Sequence, residues 1–238
     1  MEAAASPLKA LSPVQERKLR DFLEDRFLEL TRNFKKRCVP AVLCIFRFRS
    51  TRPSSEPTST TVATLADYLR ESHTLFSLTL QIPPTPPSAS LRTTFLLRLT
   101  GDIMGAIPGY RPTPDVLPQL LDWLNDLDRG WLAVLRGQAW DADARVGTDV
   151  PHALQPPDGD APASTTVLGS PLSQTERTRL RSLLIGGTAQ LEEWLVNLDA
   201  ARSDADYTMV LETMGLQQGF DDLFSGTLTE MGSFDGAV

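Results

Sequence analysis

His73, His152, Cys38 and Cys44 are the chain's whole supply of histidine and cysteine. Zinc sites, Ser-His-Asp triads and thiol proteases are built from these residue types, and the chain supplies too few of them to furnish such a site comfortably. His73 lies between Tyr68/Leu69 and Leu75/Phe76, the setting of a core-edge or surface histidine rather than a general base. His152 falls in a stretch without periodicity, where no reactive geometry is held. Asp122 and Asp126 stand one helical turn apart and, with Asp102 or Asp115, offer oxygen ligands to a divalent ion. Such pairs usually form a solvated helix surface, so no metal is expected. The glycine-rich dinucleotide, phosphate-loop, H-E-x-x-H and G-x-S-x-G patterns are absent. The expectation is a non-catalytic protein with no cofactor.

Residue types suited to binding are better represented. Phe220, Leu223 and Phe224 occur at i, i+3 and i+4 among Asp221 and Asp222, with Leu228 a turn further on. That is the pattern of an amphipathic helix entering a hydrophobic groove, on a protein partner or on the chain's own bundle. Trp123 and Trp131 add apolar area to a broad stripe and are further candidates for partner contact. Arg32, Lys35, Lys36 and Arg37 form a basic patch that Arg47, Arg49 and Arg52 continue. Its place near a helix C-terminus is favourable in itself. Nuclear import, weak DNA contact and a protein partner are the functional alternatives, and the patch lacks the interleaved aromatics of a single-strand-binding platform.

The net charge of -7 over 238 residues argues against a general nucleic-acid binder. It is unevenly spread: residues 1–52 carry +6, residues 53–137 carry -2 and residues 138–238 carry -11. Nucleic acid is therefore not expected on the core, while the basic N-terminal region keeps that role open. The same polarity predicts an acidic tail lying over the basic patch and loosened by salt. Two cysteines with five residues between them are no secreted disulfide framework. Residues 1–10 lack the apolar centre of a signal peptide, and the longest apolar run, residues 38–46, is too short to span a bilayer. A soluble intracellular protein is expected, the nucleus favoured over the cytoplasm, with no membrane contact.

The elements that must position these residues are mainly helices. Ser12, Pro13 and Gln15 mark a helix start, and Leu19, Phe22, Leu23, Phe27, Leu30 and Phe34 continue it as one stripe to about residue 36. A second amphipathic helix is predicted over 64–81, a stiff proline connector over 83–90, and a third helix from about residue 91 to the Pro108-Gly109 stop. Within that third helix Gly101 and Gly105 predict a close helix crossing. A fourth helix runs from Thr113 to about residue 138 on a leucine-rich stripe. Ser173 and Glu176 form a capping box for a fifth, which Gly186-Gly187 either kinks or brings close to a neighbour. A short helix over about 206–214 follows.

The predicted class is all-α: a bundle of about four amphipathic helices with a helical arm. A flexible N-terminus (1–11) precedes a bundle (12–138) with an irregular insert (38–63), read as a surface loop or disordered insert, with an inserted segment within residues 38–53 as the alternative. A disordered linker (139–172), the helical arm (173–214) and an acidic tail (215–238) complete the organisation. The function expected from this is an adaptor or complex subunit, or else a nuclear transcriptional or chromosome-associated regulator.

Overall fold

Ser12 starts the first helix as its spacing predicts. Its hydroxyl accepts the Gln15 N–H while the Gln15 side chain accepts the Ser12 N–H at 2.9 Å, and Pro13 occupies the first turn, where its missing donor costs nothing. The computed structural model describes residues 10–37, 62–150, 172–198 and 207–235. Among them the chain is predominantly α-helical. The helices are α1 (Pro13–Lys36), α2 (Leu65–Leu80), α3 (Ser88–Ala106), α4 (Leu117–Leu135), α5 (Gln174–Val196), α6 (Tyr207–Thr213), α7 (Gln217–Asp221) and α8 (Ser225–Asp235). Single 3-10 turns at Ile107–Gly109 and Pro114–Val116 lie between α3 and α4. None of these helices is long and apolar enough to cross a membrane.

The helices bury one continuous apolar cluster. On α1 the 3.6-residue period turns Leu23, Phe27 and Leu30 inward, and Phe27 stacks on Phe95 of α3 with centroids 5.7 Å apart. Phe34, Tyr68 and Tyr110 form a second aromatic group at 5.5–6.0 Å. Trp131 is fully buried on α4, and its indole N–H donates to Thr100 Oγ1 of α3 at 2.9 Å. Trp194 of α5 donates to the Tyr110 carbonyl at 2.7 Å, which fixes the C-terminal half of α5 to the turn after α3. Each buried indole named here therefore has its one donor satisfied.

Two glycines admit close neighbours. A side chain at Gly130 of α4 would come within 2.8 Å of Phe76, so α2 and α4 approach there. A Cβ at Gly187 of α5 would meet Met104 Cγ at 2.9 Å and Cβ at 3.0 Å. Gly186 faces open space, and α5 continues unbroken through both. The close crossing expected at Gly101 and Gly105 is therefore corrected. A Cβ at Gly101 would make ordinary contact with Leu183 at 3.6 Å, and among the described residues nothing lies within 4 Å of one at Gly105. The small residue at the α3–α5 crossing comes from α5, because α3 presents a bulky methionine.

Two other expectations change, and a third falls almost wholly outside the described residues. The predicted linker over 139–172 begins with an ordered antiparallel hairpin, β1 (Ala139–Asp141) and β2 (Val146–Thr148), with Ala139 opposite Thr148 and Asp141 opposite Val146. The Asp141 carboxylate accepts the N–H groups of Asp143 and Ala144 to close the turn. Gly147 lets the hairpin lie against Ala133 of α4, and Trp140 meets Phe76 edge-on at 5.7 Å. Second, α3 begins at Ser88, inside the predicted proline connector. The Ser88 hydroxyl accepts the Leu11 N–H and donates to Glu16, tying the start of α3 to the start of α1. Third, the 38–63 insert lies outside the described residues except for Val62 and Ala63. Val62 is buried, and its carbonyl accepts the Tyr110 hydroxyl at 3.1 Å.

One buried cation stands among these leucines. Arg92 of α3 is 1% exposed and donates one hydrogen bond, 2.7 Å long, to the Gln138 carbonyl just past the C-terminus of α4. Among the described residues its Nε and Nη2 have no hydrogen-bond partner. Burial pushes its guanidinium down to about 10, so it is charged at neutral pH, where the negative end of the α4 dipole favours it.

Candidate interaction site

The acidic-hydrophobic tail is the feature from which the sequence predicts most, and its apolar residues meet the chain's own helices. The helix that begins at Gln217 ends at Asp221; Leu223 and Phe224 occupy a turn, and a new helix starts at Ser225. Phe220, Leu223, Phe224 and Leu228 therefore do not share one helix face as their spacing suggests. Phe224 sits at φ 59° in the left-handed region, which reverses the chain and drives its ring into the core at 1% exposure. Leu223 is buried beside it, while Phe220 and Leu228 are half-buried against the same cluster.

The docking surface is α4. Thr227 donates its N–H to the Asp128 carboxylate at 2.9 Å and its hydroxyl to the Asp128 carbonyl at 3.2 Å. Arg136 and Glu230 form an ion pair at 2.6 Å, which holds the Arg136 guanidinium above its ordinary range. Gly219 and Gly226 let the tail backbone approach Leu121, Asp128 and Leu132. Of the two grooves the pattern allowed, the tail fills the one on its own bundle.

Trp123 and Trp131 do not present a surface to a partner in this fold. They are 3% and 0% exposed, and Trp123 packs on Phe76 at 5.9 Å. The broad apolar stripe of α4 is covered on separate sides by α2, the hairpin and the tail, which is why it looks wide enough for an outside partner.

The basic patch is divided. Arg32, Lys35 and Lys36 are exposed. Arg37 is half-buried, lies 3.5 Å over the Phe34 ring and 4.9 Å from that of Tyr110, and donates to the Gly109 carbonyl at 2.9 Å. Its role is to join the end of α1 to the turn after α3. Arg47, Arg49 and Arg52 lie outside the described residues. The expected cover of this patch by the acidic tail is corrected: the tail's described ion pair is made with Arg136 at the end of α4.

Asp122 and Asp126 meet a cation from an unexpected source. Arg145, at φ 55° in the hairpin turn, reaches back to place Nη2 2.6 Å from Asp126 Oδ2 and Nη1 3.1 Å from Asp122 Oδ1. The Asp122 hydrogen bond, ahead of the two carboxylate charges, holds the Arg145 guanidinium above its ordinary range. Asp126 is buried, and His73 Nε2 approaches its Oδ2 at 3.3 Å from the half-exposed side, with Arg129 3.6 Å from Oδ1. The cluster is a carboxylate pair answered by two arginines and a histidine. Among the described residues no group of three or more His, Cys, Asp and Glu is placed to hold a metal ion.

The outward side of the long helices carries apolar residues that the inward stripes do not account for. Val14, Phe22 and Leu28 of α1 are 64%, 49% and 44% exposed, and Ile185 and Val196 of α5 are similarly open. Val14 and Leu28 lie off the inward stripe in the sequence, whereas the expectation that Phe22 belongs to that stripe is corrected: 100° per residue turns it away from Leu23, Phe27 and Leu30, and it is exposed. No family model, curated protein or solved structure matches this chain.

Proposed function

We propose that the chain is a non-catalytic adaptor or subunit of a protein complex that contacts its partners through the outer faces of its helices. One observation carries this reading. Val14, Phe22 and Leu28 stand on the solvent side of α1 within an arc of about 120°, while Leu23, Phe27 and Leu30 fill the opposite side. Single exposed apolar residues are ordinary on a protein surface; three large ones on one face of a 24-residue helix make a surface that a partner helix or groove can cover. Lys18, Asp21 and Asp25 lie between them on the same arc, so the face alternates apolar and charged positions along the helix. The tail's apolar residues are engaged on α4, so the helix faces, not the tail, are the surface this reading uses.

The test is affinity capture with the full chain and with a Val14→Ser, Phe22→Ser, Leu28→Ser variant, read by quantitative mass spectrometry. The expected result is discrete loss of one partner by a variant that melts like the parent. Equal recovery of every partner by a variant of native stability overturns the reading. A second reading, a nuclear regulator, is favoured by the exposure of Arg32, Lys35 and Lys36. Replacing the three by glutamate is expected to lower nuclear entry or chromatin retention, and unchanged values of both dismiss it.

A further inference from the structure

The solvent side of α5 has an order of its own. Thr178, Ser182, Ile185, Ala189, Glu192 and Val196 follow one another at steps of four, three, four, three and four residues, the heptad spacing of a helix-helix seam, and all six are exposed. They lie opposite Leu184, Leu191 and Trp194, which α5 buries against its own bundle. From Ser182 to Leu191 no residue is charged, although half of that stretch faces water. Arg179 and Arg181 precede it, and Glu192 and Glu193 follow it. The exposed face is thus basic at one end, neutral in the middle and acidic at the other.

We propose that this face pairs two copies of the chain, α5 against α5, antiparallel about a two-fold axis. The charge order selects both the occupant and the direction. A parallel copy sets arginine beside arginine and glutamate beside glutamate, whereas an antiparallel copy sets each against its opposite, with the helix dipoles also opposed. With the axis level with Gly187, Ile185 stands opposite the second copy's Ala189, Thr178 opposite its Val196, and Ser182 opposite its Glu192. Arg179 then lies within two residues of the second copy's Glu193, and the symmetric pair repeats at the other end. Ser182, Gly186 and Ala189 are small, so the two backbones can approach closely. The Ser182 hydroxyl donates to the second copy's Glu192, and the Thr178 hydroxyl already donates to the Gln174 carbonyl at 3.0 Å, so each polar member of the seam has a partner. The surface is separate from the outer face of α1, and the two readings stand or fall independently.

One helix per copy makes a small interface, so association is expected in the range of about 10–100 µM. Sedimentation equilibrium on the full chain across that range should show the mean mass rising from 26.2 kDa toward twice that value. An Ile185→Glu, Ala189→Glu variant, at two exposed positions, should remain monomeric with an unchanged circular dichroism spectrum. Arg179→Glu or Glu193→Arg alone should weaken association by about five- to tenfold, and the two together should restore it. A parent chain that stays monomeric throughout overturns the proposal, whether or not a different protein is found on this face. So does a dimer that survives Ile185→Glu with Ala189→Glu, or a charge swap whose effects simply add.

Discussion

Arg145 lies 2.6 Å from the buried carboxylate of Asp126, and this contact ties a ten-residue hairpin segment to the middle of α4. Removing the guanidinium leaves Asp126 with His73 and Arg129 alone. Arg145 is itself more than a third exposed, which screens the interaction. Arg145→Ala is therefore expected to cost about 1–2 kcal/mol, less than the loss of a fully buried partner. Urea unfolding of Arg145→Ala beside an Asp122→Ala control measures it; equal costs would mean that the exposed Asp122 pair, not Asp126, carries the contact.

The adjacent glycines of α5 should respond oppositely to alanine. At Gly186 the new methyl meets open space and the helix gains up to about 1 kcal/mol. At Gly187 the same gain is opposed by overlap with Met104, whose Cβ and Cγ cannot both move away, and a net loss of about 1–2 kcal/mol is expected. Thermal melts of the two single variants decide this by the sign of the Tm change.

Phe224 is the tail's anchor, and Phe224→Ala should release the tail before it unfolds the bundle. Hydrogen exchange over residues 217–235 is expected to speed up strongly while α1 to α3 change little. The global loss should fall below the roughly 3–5 kcal/mol of a central Phe→Ala replacement. Uniform acceleration through all helices would place the ring in the main cooperative unit.

Two carboxylates should give pH dependences of opposite sign. The Thr64 hydroxyl, with Arg70 beside it, holds Asp67 below the ordinary 3.8, so its contribution is present above that value and lost as pH falls through the folded-state pKa. Burial raises Asp102 despite Arg98, so the folded state holds the proton longer than the unfolded one, and stability is lost as pH rises through that window. Asp67→Asn should therefore lower Tm at pH 7 and converge with the parent in acid. Asp102→Asn should raise Tm at pH 7 and converge with the parent below the ordinary carboxylate range. A melting series from pH 3 to 7 checks both.

The helices that sequence patterning located best are those with a local start signal and one apolar stripe. Ser12 with Gln15 and Ser173 with Glu176 place α1 and α5 because each cap is complete within four residues. The hairpin was not legible: three-residue strands are too short to display alternation, and the contacts that order it come from Phe76, Ala133 and Asp126, far away in sequence. The same holds for Ser88, which becomes helical through Leu11 and Glu16. In the tail, the i, i+3, i+4 spacing of Phe220, Leu223 and Phe224 implied one continuous helix, and nothing local announced that Phe224 would adopt positive φ. Its apolar content was readable; its choice of α4 as the groove depended on Asp128 and Arg136, about a hundred residues earlier.

Arg92, together with the Trp131–Thr100 hydrogen bond, makes the seating of α3 on α4 single-valued. A leucine that slides by one helical turn, about 5.4 Å, finds another leucine, so an all-aliphatic contact tolerates several registers. A guanidinium with a single acceptor does not, because any slide strands it away from the Gln138 carbonyl inside a medium that offers no water. The residue thus trades free energy for a unique arrangement. Arg92→Met is expected to keep or raise Tm while broadening the amide spectrum of α3 and α4; a variant with a lower Tm and a sharp spectrum would instead make Arg92 a stabilising contact.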